Sequence, residues 1–161
     1  TEVSGGTTEA VIRTLSELVT GNELDPKMLK IMPLRSEHGI KETVLTFSEV
    51  RTGWEFLKDQ EIRFAAVNGS RHAMDFFKQL KENQKHYHFA EVMICQGGCI
   101  GGGGQPIPVS AELIKARASI LYSLDEICGQ QKAHENARLN AIYREFLTKT
   151  ELKENQKILY Y

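Results

Sequence analysis

The chain has 161 residues, 41% of them hydrophobic and 25% charged, with a formal net charge of −1. That suffices for one domain with a real core and is too near neutrality for a nucleic-acid surface, and no apolar run approaches the ~20 residues of a membrane-spanning helix. Three cysteines are too few, and odd in number, for a disulfide framework; retained thiols suit a reducing compartment, with cytoplasm the default.

The sequence opens at Thr1 with neither an initiator Met nor a signal-peptide pattern, as expected of a fragment or a processed piece. Residues 7–19 carry Val11, Leu15 and Leu18 or Val19 at helical spacing, with Thr7 or Thr8 as the cap and Gly21-Asn22 as the stop. Asp25-Pro26 marks a turn. Residues 29–33 and 41–47 read as two short strands joined by a hairpin turn at Glu37-His38-Gly39. Residues 62–67 form a compact apolar run closed by Asn68-Gly69-Ser70, followed by a helix over 71–82 with Met74, Phe77 and Leu80 at its spacing. A further apolar run spans 89–94, completing a strand–helix–strand unit whose strands are expected to be parallel. From Val109 the chain turns helical: 111–128 with Leu113, Ile114, Ile120, Leu121 and Leu124, stopped by Gly129; then 134–147; then 152–161. The predicted fold class is α/β, a parallel sheet with a mixed edge and flanking helices. Residues 1–108 form its lobe, and 109–161 a helical segment packed on it in a single structural unit.

Ligands of open parallel sheets gather at the carboxyl ends of the strands, and at the end of 89–94 the sequence becomes unusual. Cys95 and Cys99 lie four residues apart, and six of the eight residues from Gly97 to Gly104 are glycine. Glycine at such density lets the backbone approach something large, and two thiols at its edge point to a metal–sulfur centre, because soft thiolates select iron–sulfur clusters, zinc or copper(I). A cubane cluster needs four ligands. The remaining cysteine, Cys128, sits among Leu124 and Ile127 in a predicted helix and reads as a small buried core thiol.

The run from Met93 to Pro106 resembles the last cysteine motif of the [FeFe] hydrogenases, M-x-C-x-x-G-C-x-x-G-G-G-Q-P. Every fixed position is present: Met93, Cys95, Gly98, Cys99, Gly102, Gly103, Gly104, Gln105 and Pro106. Leu121-Tyr122 with Asp125, His134-Glu135-Asn136 and Tyr143-Arg144-Glu145-Phe146-Leu147 are similar to the small-subunit-like helical tail of the same family. Ser4-Gly5-Gly6-Thr7-Thr8-Glu9-Ala10 is similar to its T-G-G-V-M-E-A stretch, departing at Thr7-Thr8.

This resemblance implies the C-terminal part of the large-subunit catalytic domain. Cys95 is then expected to hold one iron of a [4Fe–4S] cluster, and Cys99 a second iron while bridging to a diiron subsite that bears carbonyl and cyanide. Met93 packs against that subsite, and Gly98 and Gly102, Gly103 and Gly104 let the backbone wrap the cluster and offer N–H groups to its sulfides. Gln105 either adds an amide hydrogen bond near the cluster or satisfies the loop backbone. The family's two earlier motifs, T-S-C-C-P and M-P-C, do not occur here, so the implied partners include an N-terminal remainder that supplies two more cysteines. Ferredoxin or another redox carrier, H2 and protons complete the set, and the family's proton relay lies in its earlier segments. The isolated chain is expected to be inactive.

Other features have plain readings. His86 and His88 lack a third zinc ligand at usual spacing and read as a solvated loop pair. His134-Glu135 lacks the second histidine of H-E-x-x-H, because Arg138 stands there. The glycine run lacks the lysine–hydroxyl ending of a phosphate loop. Trp54, Phe56 and Leu57 read as packing, and 78–85 as the solvated face of a helix. Two alternatives to a hydrogenase remain: a hydrogenase-like iron–sulfur protein without a diiron site, of the cytosolic iron–sulfur assembly or nuclear-lamina type, and a sensory homologue.

Overall fold

The most deeply buried stretch is Ile62–Asn68 (β2), in which only Arg63 is exposed. A strand buried on both faces must be central, and β2 pairs on one side with Ile40–Leu45 (β1), antiparallel from Ile40↔Val67 to Leu45↔Ile62. On the other side it pairs with Phe89–Met93 (β3), parallel from Phe64↔Phe89 to Asn68↔Met93. In this computed structural model, which describes residues 3–35, 39–128 and 132–147, the sheet order is β1-β2-β3. The predicted parallel pair and its mixed edge are both present.

Alternation along β2 divides the core in two. Ile62, Phe64 and Ala66 face Ile12 and Val19 of helix Gly6–Thr20 (α1), together with Leu29, Leu34, Leu45 and Phe47. Ala65 and Val67 face Ala73 and Phe76 of helix Ser70–Lys81 (α3), the crossover between the parallel strands. Trp54 and Leu57 pack on the first core, with Phe56 stacked on Trp54 at 5.9 Å. Helices thus cover both faces of a three-stranded sheet.

Several expectations are corrected. Residues 29–33 are not a strand: Pro26–Ile31 is a helix (α2), because Asp25 Oδ1 accepts the Lys27 N–H at 2.8 Å and Pro26 occupies its first turn. With no strand there, no hairpin joins it to β1, whose partner is β2; residues 36–38 lie outside the described residues. On α3 the inward row is Ala73, Phe76 and Leu80, and Met74 and Phe77 lie outward. Neither Thr7 nor Thr8 caps α1; Gly5 holds the cap position without a side-chain bond, and Thr8 is buried.

The chain divides into two compact units, Thr1–Ile127 and Cys128–Tyr161. The helix Ala111–Ile127 (α4) belongs to the first. In the second, the single helix expected over 134–147 is split. Asn136 accepts the N–H groups of Arg138 and Leu139 and so starts a new helix, Ala137–Ile142 (α5), after a 3-10 turn at Ala133–Glu135; a π turn follows at Tyr143–Leu147. The helix expected over 152–161 lies outside the described residues. Among the described residues, no helix is long and apolar enough to cross a membrane.

Candidate metal centre

Met93 closes β3, and its carbonyl accepts the Gly69 N–H at 3.0 Å, so the strand ends level with the turn that opens α3. Beyond it the chain makes tight turns: Gly98 N–H to Cys95 O, Gly101 N–H to Gly98 O, Gly102 N–H to Cys99 O and Gln105 N–H to Gly102 O, each at 3.1 Å. These turns bring Cys95 and Cys99 to one rim at the carboxyl end of the parallel pair, where both side chains are exposed and neither is in a disulfide.

Glycine is required along this loop for two different reasons. Gly97 and Gly98 have φ of 76° and 94°, which L side chains rarely adopt. A Cβ at Gly101 would collide with the carbonyl oxygen of Gln96, and one at Gly102 would lie 3.2 Å from Cys95 Sγ. Gly103 and Gly104 differ: a Cβ there meets nothing within 4 Å. Nothing in the described chain explains why those two positions are glycine. Their N–H groups also carry no hydrogen bond among the described residues, whereas those of Gly98 and Gly102 are committed to the turns.

Residues outside the motif hold the loop in place. Asn68, at the end of β2 and buried, accepts the Gly97 N–H through Oδ1 at 2.9 Å, while Ser4 N–H donates to Gly97 O at 3.1 Å. Ser4 is held in turn by Lys41 of β1, whose Nζ donates to Ser4 O at 2.5 Å and to Leu34 O at 2.9 Å. Glu91 of β3 receives the N-terminus of α1: Oε1 accepts Gly5 N–H at 2.9 Å, and Oε2 accepts Thr8 N–H at 2.8 Å and the Thr8 hydroxyl at 3.0 Å. A carboxylate at a helix N-terminus satisfies orphan donors and meets the positive end of the dipole. Burial lowers the Lys41 ammonium below its usual range, although Glu91 and Glu9 oppose that shift. On α4, Arg117 donates to Ile100 O at 2.8 Å and to Pro106 O at 3.2 Å.

Behind this layer, Arg35 makes a two-pronged pair with Glu9 at 2.8 and 2.9 Å, and Arg13 another with Asp125 of α4 at 3.3 and 2.8 Å. Arg35 also lies 4.4 Å above the Tyr122 ring, and burial pushes the Tyr122 hydroxyl up to about 12. α4 is thereby tied to α1 through charged groups, and none of its own residues is fully buried.

The structure brings Met93, Cys95, Gly98, Cys99, Gly102, Gly103, Gly104 and Gln105 into one loop. Cys128 is corrected: it is exposed, just past α4, and not a buried core thiol. His86 and His88 are exposed, and His88 Nδ1 accepts the Arg63 N–H at 3.0 Å. Sequence reasoning missed Asn68, Glu91, Lys41 and Arg117. A charge inside an apolar run, as at Glu91 in Phe89–Met93, was the one signal available, since buried charges are retained where they are paired.

Comparison with known proteins decides the lineage. The family described as "Iron only hydrogenase large subunit, C-terminal domain" matches residues 1–103, and the one described as "Iron hydrogenase small subunit" matches residues 111–159. The chain belongs to the iron-only hydrogenase family. Iron hydrogenase 1 of Clostridium pasteurianum is 34% identical over 98% of this chain and 26% of its own length. A probable cytosolic Fe-S cluster assembly factor of Drosophila mojavensis is 30% identical over 98% of the chain and 31% of its own length. A solved variant of [FeFe]-hydrogenase HydA1 from Chlamydomonas reinhardtii superposes with a TM-score of 0.70 at 30% identity, covering 90% of this chain and 41% of that one. The chain therefore spans between a quarter and two fifths of these relatives, and its mixed three-stranded sheet with flanking helices is the fold of that domain.

Membership of the iron-only hydrogenase family implies iron–sulfur cofactors, and the site fits one. Two exposed soft donors stand beside a glycine wall that the chain's own atoms leave open at Gly103 and Gly104. Two thiolates are half of what a cubane needs.

Proposed function

We propose that this chain is the part of an [FeFe] hydrogenase catalytic domain that gives Cys95 and Cys99 to a [4Fe–4S] cluster bridged to a diiron subsite, and that the intact protein interconverts H2 with two protons and two electrons. When bound, such a cofactor supplies an open iron position for H2 and a store for electrons. The observation that carries the reading is the pair of exposed sulfurs beside glycines whose Cβ space is empty, in a loop that matches the family motif at every fixed position.

In this reading Cys95 ligates one cubane iron, and Cys99 ligates another and bridges to the subsite. Both bind as thiolates, so uptake of the cluster releases their protons. Met93 presents a polarizable thioether that fills space beside the subsite without competing as a strong donor. The unengaged N–H groups of Gly103 and Gly104 are available to cluster sulfides, a contact that raises reduction potential. Gly98, Gly102 and Gln105 shape the wall, and Pro106 fixes the exit of the loop because its φ is locked. The remaining two thiolates come from outside these 161 residues, from an N-terminal remainder of the domain. Residues 1–108 carry the loop and 109–161 form the helical segment. Electrons pass to ferredoxin or another redox carrier, and the protein works in the cytoplasm.

Maturing the intact protein with its diiron cofactor tests this. Hydrogen evolution from a reduced mediator, with carbonyl and cyanide bands in the infrared, is the expected result; a fully loaded protein that evolves none contradicts it. A second reading, an iron–sulfur protein with a cubane and no diiron subsite, is favoured by the assembly-factor relatives, one of them matching over 98% of the chain. Its signature is iron and sulfide without those infrared bands. A sensory homologue would show the bands with slow turnover.

A further inference from the structure

Among the described residues, Arg117 is the charged side chain that bonds both limbs of the glycine loop. It projects from α4 and bonds the carbonyl of Ile100, the residue after Cys99, at 2.8 Å. Through the other terminal nitrogen it bonds the carbonyl of Pro106, the residue after the motif's glutamine, at 3.2 Å. Five residues separate those two carbonyls, and they are Gly101 to Gln105. Of these, Gly103 and Gly104 donate no backbone hydrogen bond among the described residues, and a Cβ at either meets nothing within 4 Å.

A run of glycines loses more conformational freedom on ordering than any other sequence. Something must offset that cost if the loop is to present a fixed wall. The planar guanidinium can span two carbonyls with a rigid fork, which an ammonium on a flexible stem cannot do. It also fixes a full positive charge close to Cys99, in a half-buried setting where screening is incomplete.

We propose that Arg117 is a positioning residue for the cluster: it clips the two limbs of the glycine loop at a set separation and, through its charge, holds the cluster's reduction potential up. This rests on the functional reading given above, with the clip itself depending only on the chain. A nearby cation favours the reduced, more negative state of a cluster, so removing the charge shifts the potential to more negative values. Geometry and charge can be separated, because Arg117→Lys keeps the charge and loses the fork, while Arg117→Gln loses both.

The test uses the intact protein carrying its cubane only, with the potential read by EPR-monitored redox titration and loop order by hydrogen exchange. In both variants the amides of Gly101, Gly102 and Gln105, which the loop's own turns hold, should exchange on the order of tenfold faster, the factor expected for the loss of one charge-assisted hydrogen bond. Those of β2 should be unchanged. The potential should fall in Arg117→Gln and stay near the wild-type value in Arg117→Lys. Wild-type exchange and potential in both variants would overturn the proposal, as would equal shifts of potential in the two. If the wild-type protein takes up no iron, the functional reading fails on its own. Exchange in the cluster-free proteins then decides the clip: faster loop exchange in the variants sustains it, and unchanged exchange rejects it.

Discussion

Gly101 and Gly104 lie in the same loop under opposite constraints. At Gly101 a Cβ runs into the Gln96 carbonyl, which belongs to the backbone and cannot turn aside. Gly101→Ala should therefore destabilise the protein by about 1–3 kcal/mol, the usual range for overpacking, visible as a lower Tm. A Cβ at Gly104 meets nothing within 4 Å among the described residues, so in Gly104→Ala the Tm should hold while iron and sulfide uptake by the intact protein drops. Unchanged iron and sulfide uptake in Gly104→Ala would mean that the open space has no occupant. Glu91 belongs to the same scale: its carboxylate accepts three hydrogen bonds at the start of α1 and stands near buried Lys41. Glu91→Ala leaves those donors without their acceptor and takes away one of the two carboxylates that act on Lys41, and should cost at least about 2 kcal/mol in urea denaturation.

Between elements, the join of α4 to α1 is held by the Arg13–Asp125 pair. The hydrogen bond from Arg13 holds the Asp125 carboxyl below its ordinary range, with burial acting against it. Because the folded value is the lower one, the contribution is complete above the unfolded carboxyl value of ~3.9 and is lost as pH falls through the folded value. The stability gap between wild type and Asp125→Asn should thus narrow from about pH 6 to about pH 3; a gap independent of pH would show that the pair contributes nothing. At this scale the sequence was legible where local signals agreed. The run 62–67, its Asn-Gly-Ser turn and the helix after it all form as read, because an apolar run interrupted only by Arg63 and closed by an Asn-Gly turn admits few alternatives. Where two local signals competed, the choice failed. Residues 29–33 have strand composition, yet Asp25-Pro26 upstream is a helix start, and capping plus a preset φ won. On α3 the spacing of Met74 and Phe77 is as helical as that of Ala73 and Phe76, and only tertiary packing chooses between two rows one residue apart.

For the whole molecule, the loop of the candidate site was legible because its spacing is dense and its residue types are rare. The parts that hold the loop were not. Asn68, Ser4, Lys41 and Arg117 come from four separate segments, and nothing in their local sequence announces that they meet. Cys128 failed for a related reason, since its apolar neighbours on paper do not enclose it. The described sheet has three strands and the chain spans 41% of a solved relative. Ordering a glycine loop costs ~1–2 kcal/mol per residue, and half a ligand set cannot offset that. The chain on its own should therefore hold little iron, and stoichiometric iron and sulfide in it would contradict the account.

The central claim, that Cys95 and Cys99 are thiolate ligands to iron, is tested most directly by measuring iron and acid-labile sulfide in the intact protein reconstituted without its diiron cofactor. The wild type should bind about four of each per cubane site, and Cys95→Ala and Cys99→Ala should each lose that content while keeping the fold, as judged by circular dichroism. Full iron and sulfide retained in both variants would show that the cluster is held elsewhere.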